Sequence, residues 1–363
     1  MTYTLLLTTE YFMDEFAQKE LREQFNYKFK VLDEGFYSLT IQTQKQLSEI
    51  VLQLLYYSRT LTNIYLKIGE SDEKVQKIVL EKDIFNEIKT KNLGITVKDE
   101  EIKKTVLTKF EKDIQKKYTF DEGEDLVFEV FDEEEDGMIL VLDLLGFSLI
   151  KRTYKLREFE DSLSPIISSY AMYLLGLDTE EKLSILDPYA QLGDLSIESS
   201  LFLPRTALFV REKRQITLSK LFNLPLGIPK KEEDKNKLMA LIEGDEMFKF
   251  FRENVSHAGT KIKLSQFDFD WLDVKFHKGD FDYILTQFPY FETEEEKKGF
   301  EEQFFYQGEF VAKKDICIIC DQEVDETILE KHKLQIKQRK EIEYEEEQYL
   351  IYVIGHKGST TKN

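Results

Sequence analysis

The sequence predicts an α/β protein whose second half forms a mostly parallel, doubly wound sheet. From residue 183 onward, strand-like runs such as LSILDPY and FDYILTQFPY alternate with helical stretches such as LSIESSLFL. This alternation is typical of a parallel sheet with helices on both faces. The last two runs, KLQIKQRKEIEY and QYLIYVIGHKG, follow one another without a helix between them, which predicts an antiparallel terminal hairpin.

The first 68 residues show a different order of elements. YTLLLTT, the two halves of YKFKVLDEGFYSLTIQ and LTNIYLKIGE predict strands, and MDEFAQKELREQF and QLSEIVLQLLYYS predict helices. The resulting order, β-α-β-β-α-β, is the ferredoxin-like arrangement. Residues 69–150 add helices and two strands joined by an acidic run, 132–136, that we expect to be a solvated turn. We therefore predict domains at 1–68, 69–150 and 161–363, with 151–160 as a basic linker.

Length and composition exclude several classes of protein. The chain has 363 residues, of which 42 % are apolar, so two or three packed domains are expected. It contains no run of 18 uncharged apolar residues, and it lacks the basic start of a signal peptide, so we predict a cytoplasmic protein without a membrane partner. Cys317 and Cys320 lie in the strand-like DICIICD on opposite faces, which favours core packing over zinc or disulfide chemistry.

The charge distribution limits the partners. The net charge of −20 argues against broad nucleic-acid affinity, because phosphate contacts depend on Lys and Arg. KRTYKLRE, residues 151–158, is the densest basic cluster, and it lies between two apolar regions, so it could be a linker. The four histidines are scattered without metal-ligand spacing, so we predict no metal site.

Two stretches fall beyond the carboxyl ends of predicted strands, where open α/β sheets bind ligands. In DPYAQLGDLSIE, residues 187–198, Asp187 is an acceptor at a strand end and Gly193 gives the backbone freedom for a close approach to a ligand. In TQFPY, Gln287 offers an amide donor and acceptor, and Tyr290 offers an aromatic face for a base.

Each stretch also has a structural interpretation. Asp187 and Asp194 could simply cap the following helix. Phe288 and Tyr290 could pack in the core after a strand ended by proline. Asp268, in SQFDFDW, could bind a ligand or face solvent. The residue types alone leave these alternatives open.

Taken together, these segments resemble the THUMP-domain RNA methyltransferases, a family that includes the tRNA guanosine-N2 methyltransferases, over nearly the whole chain. TTEYFMDEFAQKELRE is similar to the family's opening strand and helix, LDLLGFSLIKRTYK to the end of its THUMP module, and SPIISSYAMYLLGL to the next helix. ILDPYAQLGDLSIE is similar to the cofactor motif DPxCGSGTxxIE, and FDYILTQFPY to the segment that carries NPPY. The resemblance implies a THUMP-like RNA-binding domain at 69–150 and a Rossmann-like S-adenosylmethionine-dependent methyltransferase domain at 161–363.

The resemblance also implies roles for individual residues, with tRNA or another structured RNA as partner. The cofactor S-adenosylmethionine would be bound by Asp187, Pro188, Gly193, Asp268 and, as the ribose-binding acid after the domain's second strand, Glu212. The catalytic motif, which holds the target amine and stacks on the base, would consist of Gln287, Pro289 and Tyr290. The RNA-binding residues would be Lys151, Arg152, Tyr154, Lys155 and Arg157.

Both motifs depart from the family pattern. In the cofactor loop, the family's Cys, Gly, Ser and Thr are replaced by Ala190, Gln191, Leu192 and Asp194. In the catalytic motif, Gln287 replaces Asn and a phenylalanine replaces the first Pro. Glutamine is longer by a methylene, roughly 1.5 Å, and a misplacement of about 1 Å can cost about 100-fold in rate.

We therefore predict a tRNA-binding protein in which cofactor binding and methyl transfer are weakened or lost. One alternative is an active tRNA guanosine-N2 methyltransferase with a divergent site. Another is a non-catalytic subunit that binds a partner protein, which the acidic run FETEEEKKGFEEQ after Tyr290 and the net charge of −20 favour.

Overall fold

The structure is a computed structural model with two compact units. It describes residues 2–71, 78–87, 92–95, 104–109, 112, 119–120, 127–133, 137–157, 162–179, 182–203, 208, 219 and 235–358. One unit comprises Met1–Lys151 with Phe209–Pro229, and the other comprises Arg152–Leu208 with Lys230–Asn363. Among the helices in these described ranges, none is long and apolar enough to cross a membrane.

The first unit is built on a nine-stranded sheet. Its N-terminal part has the predicted order of elements: Tyr3–Thr9 (β1), Asp14–Lys19 (α1), Lys30–Asp33 (β2), Phe36–Ile41 (β3), Gln44–Tyr57 (α2) and Leu61–Ser71 (β4). The elements that follow are Ile78–Leu80 (β5), Lys82–Glu87 (α3), Asn92–Ile95 (β6), Thr119–Phe120 (β7), Val127–Glu133 (β8) and Gly137–Asp143 (β9). The strand order is β2-β3-β1-β4-β9-β8-β6-β7, and β5 pairs with β4.

Local sequence explains the N-terminal elements of this unit. The β2–β3 hairpin turns at Gly35, whose φ of 72° suits glycine and whose Cβ, if present, would lie 2.8 Å from the carbonyl oxygen of Thr9. Helix α2 begins after Thr43, whose hydroxyl accepts a hydrogen bond from the backbone N–H of Gln46 at 3.1 Å. Strand β9 pairs with both β4 and β8. Strands from both sides of the predicted domain boundary at residue 68 therefore belong to one sheet. Of the acidic run predicted as a turn, residues 132–133 belong to β8 and 134–136 lie outside the described residues.

The second unit contains a seven-stranded sheet. Its first elements are Pro165–Leu174 (α4), Ser184–Asp187 (β10), Asp194–Phe202 (α5), Lys237–Ile242 (β11), Asp245–Ala258 (α6), Lys263–Gln266 (β12) and Leu272–Lys275 (α7). Its last elements are Phe281–Gln287 (β13), Glu294–Val311 (α8), Ala312–Cys320 (β14), Glu326–Lys331 (α9), Leu334–Tyr344 (β15) and Glu347–His356 (β16). The order is β12-β11-β10-β13-β14-β16-β15, with β16 antiparallel to both of its neighbours and the other pairs parallel. An α/β architecture with a doubly wound sheet is therefore observed.

One segment of this unit differs from the sequence prediction. The sequence predicts a charged helical insertion over residues 230–254, but Lys237–Ile242 is β11, which pairs in parallel with β10. The prediction is wrong there because LMALI is buried in the sheet interior, and charged flanking residues conceal a strand this short. The strand predicted at TALFVRE lies, except for Leu208, outside the described residues.

Candidate functional site

The two ligand-binding stretches predicted from the sequence lie next to each other. Strand β10 pairs in parallel with β13, with Leu186 opposite Ile284, so the segments after both strands leave the same edge of the sheet. From β10 the chain builds β11 and β12 on one side and then β13 on the other, so the strand order reverses between β10 and β13. This reversal is where open α/β sheets form ligand crevices.

Asp187 joins the two stretches. Its carboxylate accepts hydrogen bonds from the hydroxyls of Ser196 and Thr286, each at 2.8 Å, and the side chain is buried. Burial raises the pKa of Asp187 to about 6, although the hydrogen bonds from Thr286, Ser196 and the backbone of Tyr189 oppose the shift. The carboxylate therefore ties the start of α5 to the end of β13, and both of its oxygens are engaged inside the protein.

The loop between β10 and α5 is tightly constrained. Gly193 precedes α5 with a φ of 85°, and a Cβ at this position would lie 1.9 Å from Cε2 of Phe251 on α6. Gln191 has a φ of 40°, in the left-handed region that disfavours a side chain, and Leu192 is buried. The predicted alternative that Asp194 caps α5 is wrong, since its carboxylate instead accepts from the backbone N–H of Leu163 at 3.0 Å.

The cleft beside this loop is small. It is lined by the loop itself, by Asp187 and by Gln287, and its volume is about 10 Å³. That is room for about one water molecule. Sites for small organic ligands typically have volumes of roughly 300–1,000 Å³.

Carboxylates cluster beyond the ends of β11 and β12. Glu243 follows β11 directly, and burial, together with the charges of Asp268 and Asp270, raises its pKa. Asp268 is exposed, and its Oδ1 accepts from the backbone N–H of Asp270 at 2.9 Å, which begins the turn Phe269–Trp271. Glu212, the acid predicted from the sequence, lies outside the described residues. Glu243 was missed, although an apolar run followed by an acid and a helix, the pattern also seen at Asp187, could have revealed it.

TQFPY divides its side chains between the core and the surface. Phe288 is buried against Phe300 and Phe304, with ring centroids 5.1 and 4.8 Å away. Tyr290 is 74 % exposed, and Gln287 and Pro289 are half-buried. The core-packing alternative therefore holds for Phe288 but is wrong for Tyr290, whose ring remains accessible for stacking.

Three residues of the basic segment 151–157 are engaged by carboxylates of α5. The Arg152 side chain is 4 % exposed and its Nε donates to Glu198, which is fully buried, at 3.0 Å. The hydroxyl of Tyr154 donates to the same carboxylate at 2.7 Å, and Lys155 lies 3.2 Å from Asp194. An RNA-binding role for these three side chains conflicts with this geometry, because each would have to leave a buried acceptor.

The other two residues predicted to bind RNA are exposed. Lys151 faces solvent. Arg157 stacks over the ring of Phe250 at 5.1 Å and pairs with Glu253 at 3.2 Å, with half of its side chain exposed. Within the described part of the segment, Lys151 and Arg157 are the basic side chains that face solvent.

The cysteines and acidic residues form no metal centre in the part of the chain that the structure describes. No group of three or more His, Cys, Asp or Glu side chains in it could hold a metal ion. Cys317 and Cys320 are free and buried in β14, and burial raises the pKa of both thiols. They are part of the core and remain protonated at neutral pH.

Comparison with solved structures characterises the fold. A possible methylase from Clostridium difficile 630 has a TM-score of 0.74 at 16 % identity, with both chains covered over 100 %. The chain shares the fold of this possible methylase over its whole length. SMU.472, solved in complex with SAH, has a TM-score of 0.71 at 14 % identity, with 99 % of each chain covered. A Listeria monocytogenes protein described as a predicted N6-adenine-specific DNA methylase has a TM-score of 0.70 at 15 % identity, covering 97 % of this chain and 96 % of its own. No family model and no curated protein matches the sequence.

The resemblance implies that the methyl donor S-adenosylmethionine lies at the β10–α5 loop, and the described residues of this loop depart from what it requires. The space that they enclose, about 10 Å³, is smaller than a nucleoside. Leu192 is buried, Gln191 lines the cleft, and the ring of Phe251 packs against Gly193. The loop keeps the outline of a donor site, with Gln191 and Leu192 in place of the smaller residues of the related motif.

Proposed function

We propose that this chain is an RNA-binding protein of the methyltransferase fold in which methyl transfer is weakened or lost. The observation that carries the proposal is the narrow cleft that the described residues form at the β10–α5 loop, lined by Gln191 at a position where the related motif has glycine. The altered acceptor motif supports it, because Phe288 replaces a proline and is fixed in an aromatic cluster.

Calorimetric titration with S-adenosylmethionine and SAH tests the proposal. We expect the wild-type protein to give no binding heat at concentrations up to about 1 mM. The double variant Gln191→Gly/Leu192→Ser should bind SAH, because it removes two side chains and restores backbone freedom at position 191. Gln191→Ala is the matched control, since it shortens the side chain but keeps a Cβ in the left-handed region. Micromolar binding of S-adenosylmethionine by the wild type would overturn the loss of the donor site.

The RNA-binding part of the proposal rests on the resemblance of the N-terminal segments to the THUMP methyltransferases. A structural neighbour named as a DNA methylase is consistent with a nucleic-acid partner. We include tRNA as the RNA on the same resemblance, with a partner protein as an additional candidate. The domain divisions at 68 and 150, and the THUMP assignment of 69–150, remain part of this proposal.

A second candidate is an active tRNA guanosine-N2 methyltransferase with a divergent site. The position of Glu243 favours it, because a carboxylate at the end of the strand beside β10 could accept hydrogen bonds from ribose hydroxyls. This function requires the β10–α5 loop to open. Mass spectrometry of tRNA nucleosides from a strain that lacks the gene distinguishes the candidates, because loss of a methylguanosine would identify an active enzyme.

A further inference from the structure

A second, larger cavity adjoins the narrow cleft at the β10–α5 loop. It has a volume of about 390 Å³ and lies between the TQFPY turn, the end of β14 and the start of β16. Gln191 and Gln287 line both spaces, so the two spaces are neighbours. The larger cavity falls within the range of sites that hold small organic molecules, roughly 300–1,000 Å³.

The polar groups of this cavity are acidic or neutral. Asp321 and Glu347 contribute carboxylates, and Gln348 adds an amide to those of Gln191 and Gln287. None of the ten described residues that line the cavity is Lys, Arg or His. A phosphate group here would meet two carboxylates without a balancing cation, whereas a positively charged ligand would be attracted by both.

Three aromatic residues complete the lining. Phe288 is buried, Tyr290 presents an exposed face, and Tyr349 is half-buried in the cavity wall. The hydroxyl of Tyr349 donates a hydrogen bond to the carboxylate of Glu347. Burial and this carboxylate raise the pKa of Tyr349, so the phenol stays protonated and fixes the orientation of Glu347 at neutral pH. Carboxylates beside tyrosine rings form a typical environment for an organic ammonium ion.

We propose that this cavity binds a small aromatic ammonium compound, whose ring packs between Tyr290 and Tyr349 and whose charge faces Asp321 and Glu347. The ligand carries no phosphate and requires no methyl donor. The proposal therefore goes beyond the RNA-binding function and does not depend on whether the donor cleft is closed.

Calorimetry with three indole compounds of the same ring tests the charge requirement. We expect the cation tryptamine to bind with a dissociation constant below about 1 mM. The neutral alcohol tryptophol should bind at least about tenfold more weakly, because it lacks the attraction to the two carboxylates. The anion indole-3-acetate should give no binding heat. Raising the salt concentration should weaken tryptamine more than tryptophol, because salt screens exposed charges.

Variants locate the site. Asp321→Asn/Glu347→Gln should lower tryptamine affinity at least about tenfold while leaving tryptophol within about twofold, because only the charge is removed. Glu295→Gln is the matched control, since it removes an exposed carboxylate of the first turn of α8 that does not line the cavity. Equal affinity for tryptamine and tryptophol, tighter binding of guanosine than of tryptamine, or no tryptamine binding at several millimolar would each overturn the proposal. S-adenosylmethionine also carries an aromatic ring and positive charge, so it is titrated into wild type and Asp321→Asn/Glu347→Gln: binding that survives the double substitution belongs to the donor cleft, and the two proposals can fail separately.

Discussion

At the scale of single residues, two buried carboxylates anchor the second unit. Asp187 is held by Ser196 and Thr286, and its pKa is raised to about 6, chiefly by burial. Glu198 is fully buried and accepts from Arg152 and Tyr154. Burial raises the pKa of Asp187. Glu198 is instead paired with the guanidinium of Arg152 and the phenol of Tyr154.

Asp187 should make stability depend on pH in a defined direction. Its folded pKa of about 6 exceeds the ordinary value of 3.8, so the folded protein holds a proton that the unfolded chain releases. This bound proton stabilises the folded state by roughly 3 kcal/mol below pH 4. The stabilisation is lost as the pH rises through the folded pKa of about 6. Asp187→Asn removes this loss, so its unfolding free energy in urea relative to wild type should rise by roughly 2–3 kcal/mol between pH 4 and pH 7. A difference that stays constant over this range would contradict the assignment, and Asp268→Asn, at an exposed strand end, is the control.

Glu198 should contribute more to stability than an exposed ion pair on the same segment. Glu198→Gln leaves Arg152 buried without a counter-charge, so we expect a loss of roughly 3–5 kcal/mol in unfolding free energy. Glu253→Gln breaks the exposed pair with Arg157 and should cost less than about 1 kcal/mol. Urea unfolding of both variants, followed by circular dichroism, makes the comparison. Equal losses would mean that the buried network has no special role.

At the scale of elements, the start of α5 is shaped by α6. The ring of Phe251 occupies the space where any side chain at Gly193 would begin. Glycine at this position is therefore explained by packing against a neighbouring helix as well as by its φ of 85°. This contact gives the glycine a structural reason that does not require a bound cofactor.

A double-mutant cycle tests this contact. Gly193→Ala should destabilise the protein by roughly 3 kcal/mol, because it adds both backbone strain and a clash with Phe251. In a Phe251→Ala background the same change should cost only about 1 kcal/mol, the strain alone. Urea unfolding of the four proteins gives a coupling energy near 2 kcal/mol. Additive effects would show that the ring does not dictate glycine at position 193.

At the scale of the whole molecule, charge decides which partners can approach. The net charge of −20 and the carboxylates near Glu243 repel a phosphate backbone. In the basic segment, Lys151 and Arg157 are the exposed positive charges, while Arg152 and Lys155 serve buried acids. RNA binding, if it uses this segment, should therefore be weak, dependent on these two exposed residues and sensitive to salt.

A gel shift with tRNA tests that expectation. We expect a shift at low salt that Lys151→Glu/Arg157→Glu reduces by at least about tenfold, because each reversed charge repels a phosphate. Lys298→Glu, at an exposed position of α8 that pairs with Asp325 at 3.6 Å, is a control of equal charge change per site. Absence of any wild-type shift at low salt would remove the RNA-binding proposal.

The sequence by itself determined the order of elements and the places where ligands could bind. Alternating apolar runs and helical stretches identified the α/β architecture, and DPYAQLGDLSIE and TQFPY were correctly placed at strand ends, because these features depend on local periodicity and turn residues. Only the tertiary structure decided that LMALI is the strand beside β10, that the side chains of Arg152, Tyr154 and Lys155 are buried, and that the described residues of the β10–α5 loop leave a narrow cleft. These outcomes depend on contacts between residues far apart in the chain, such as Thr286 with Asp187. Burial and pairing over such separations leave no local pattern, which is why the sequence could not show that three side chains of the basic segment pair with acids of α5.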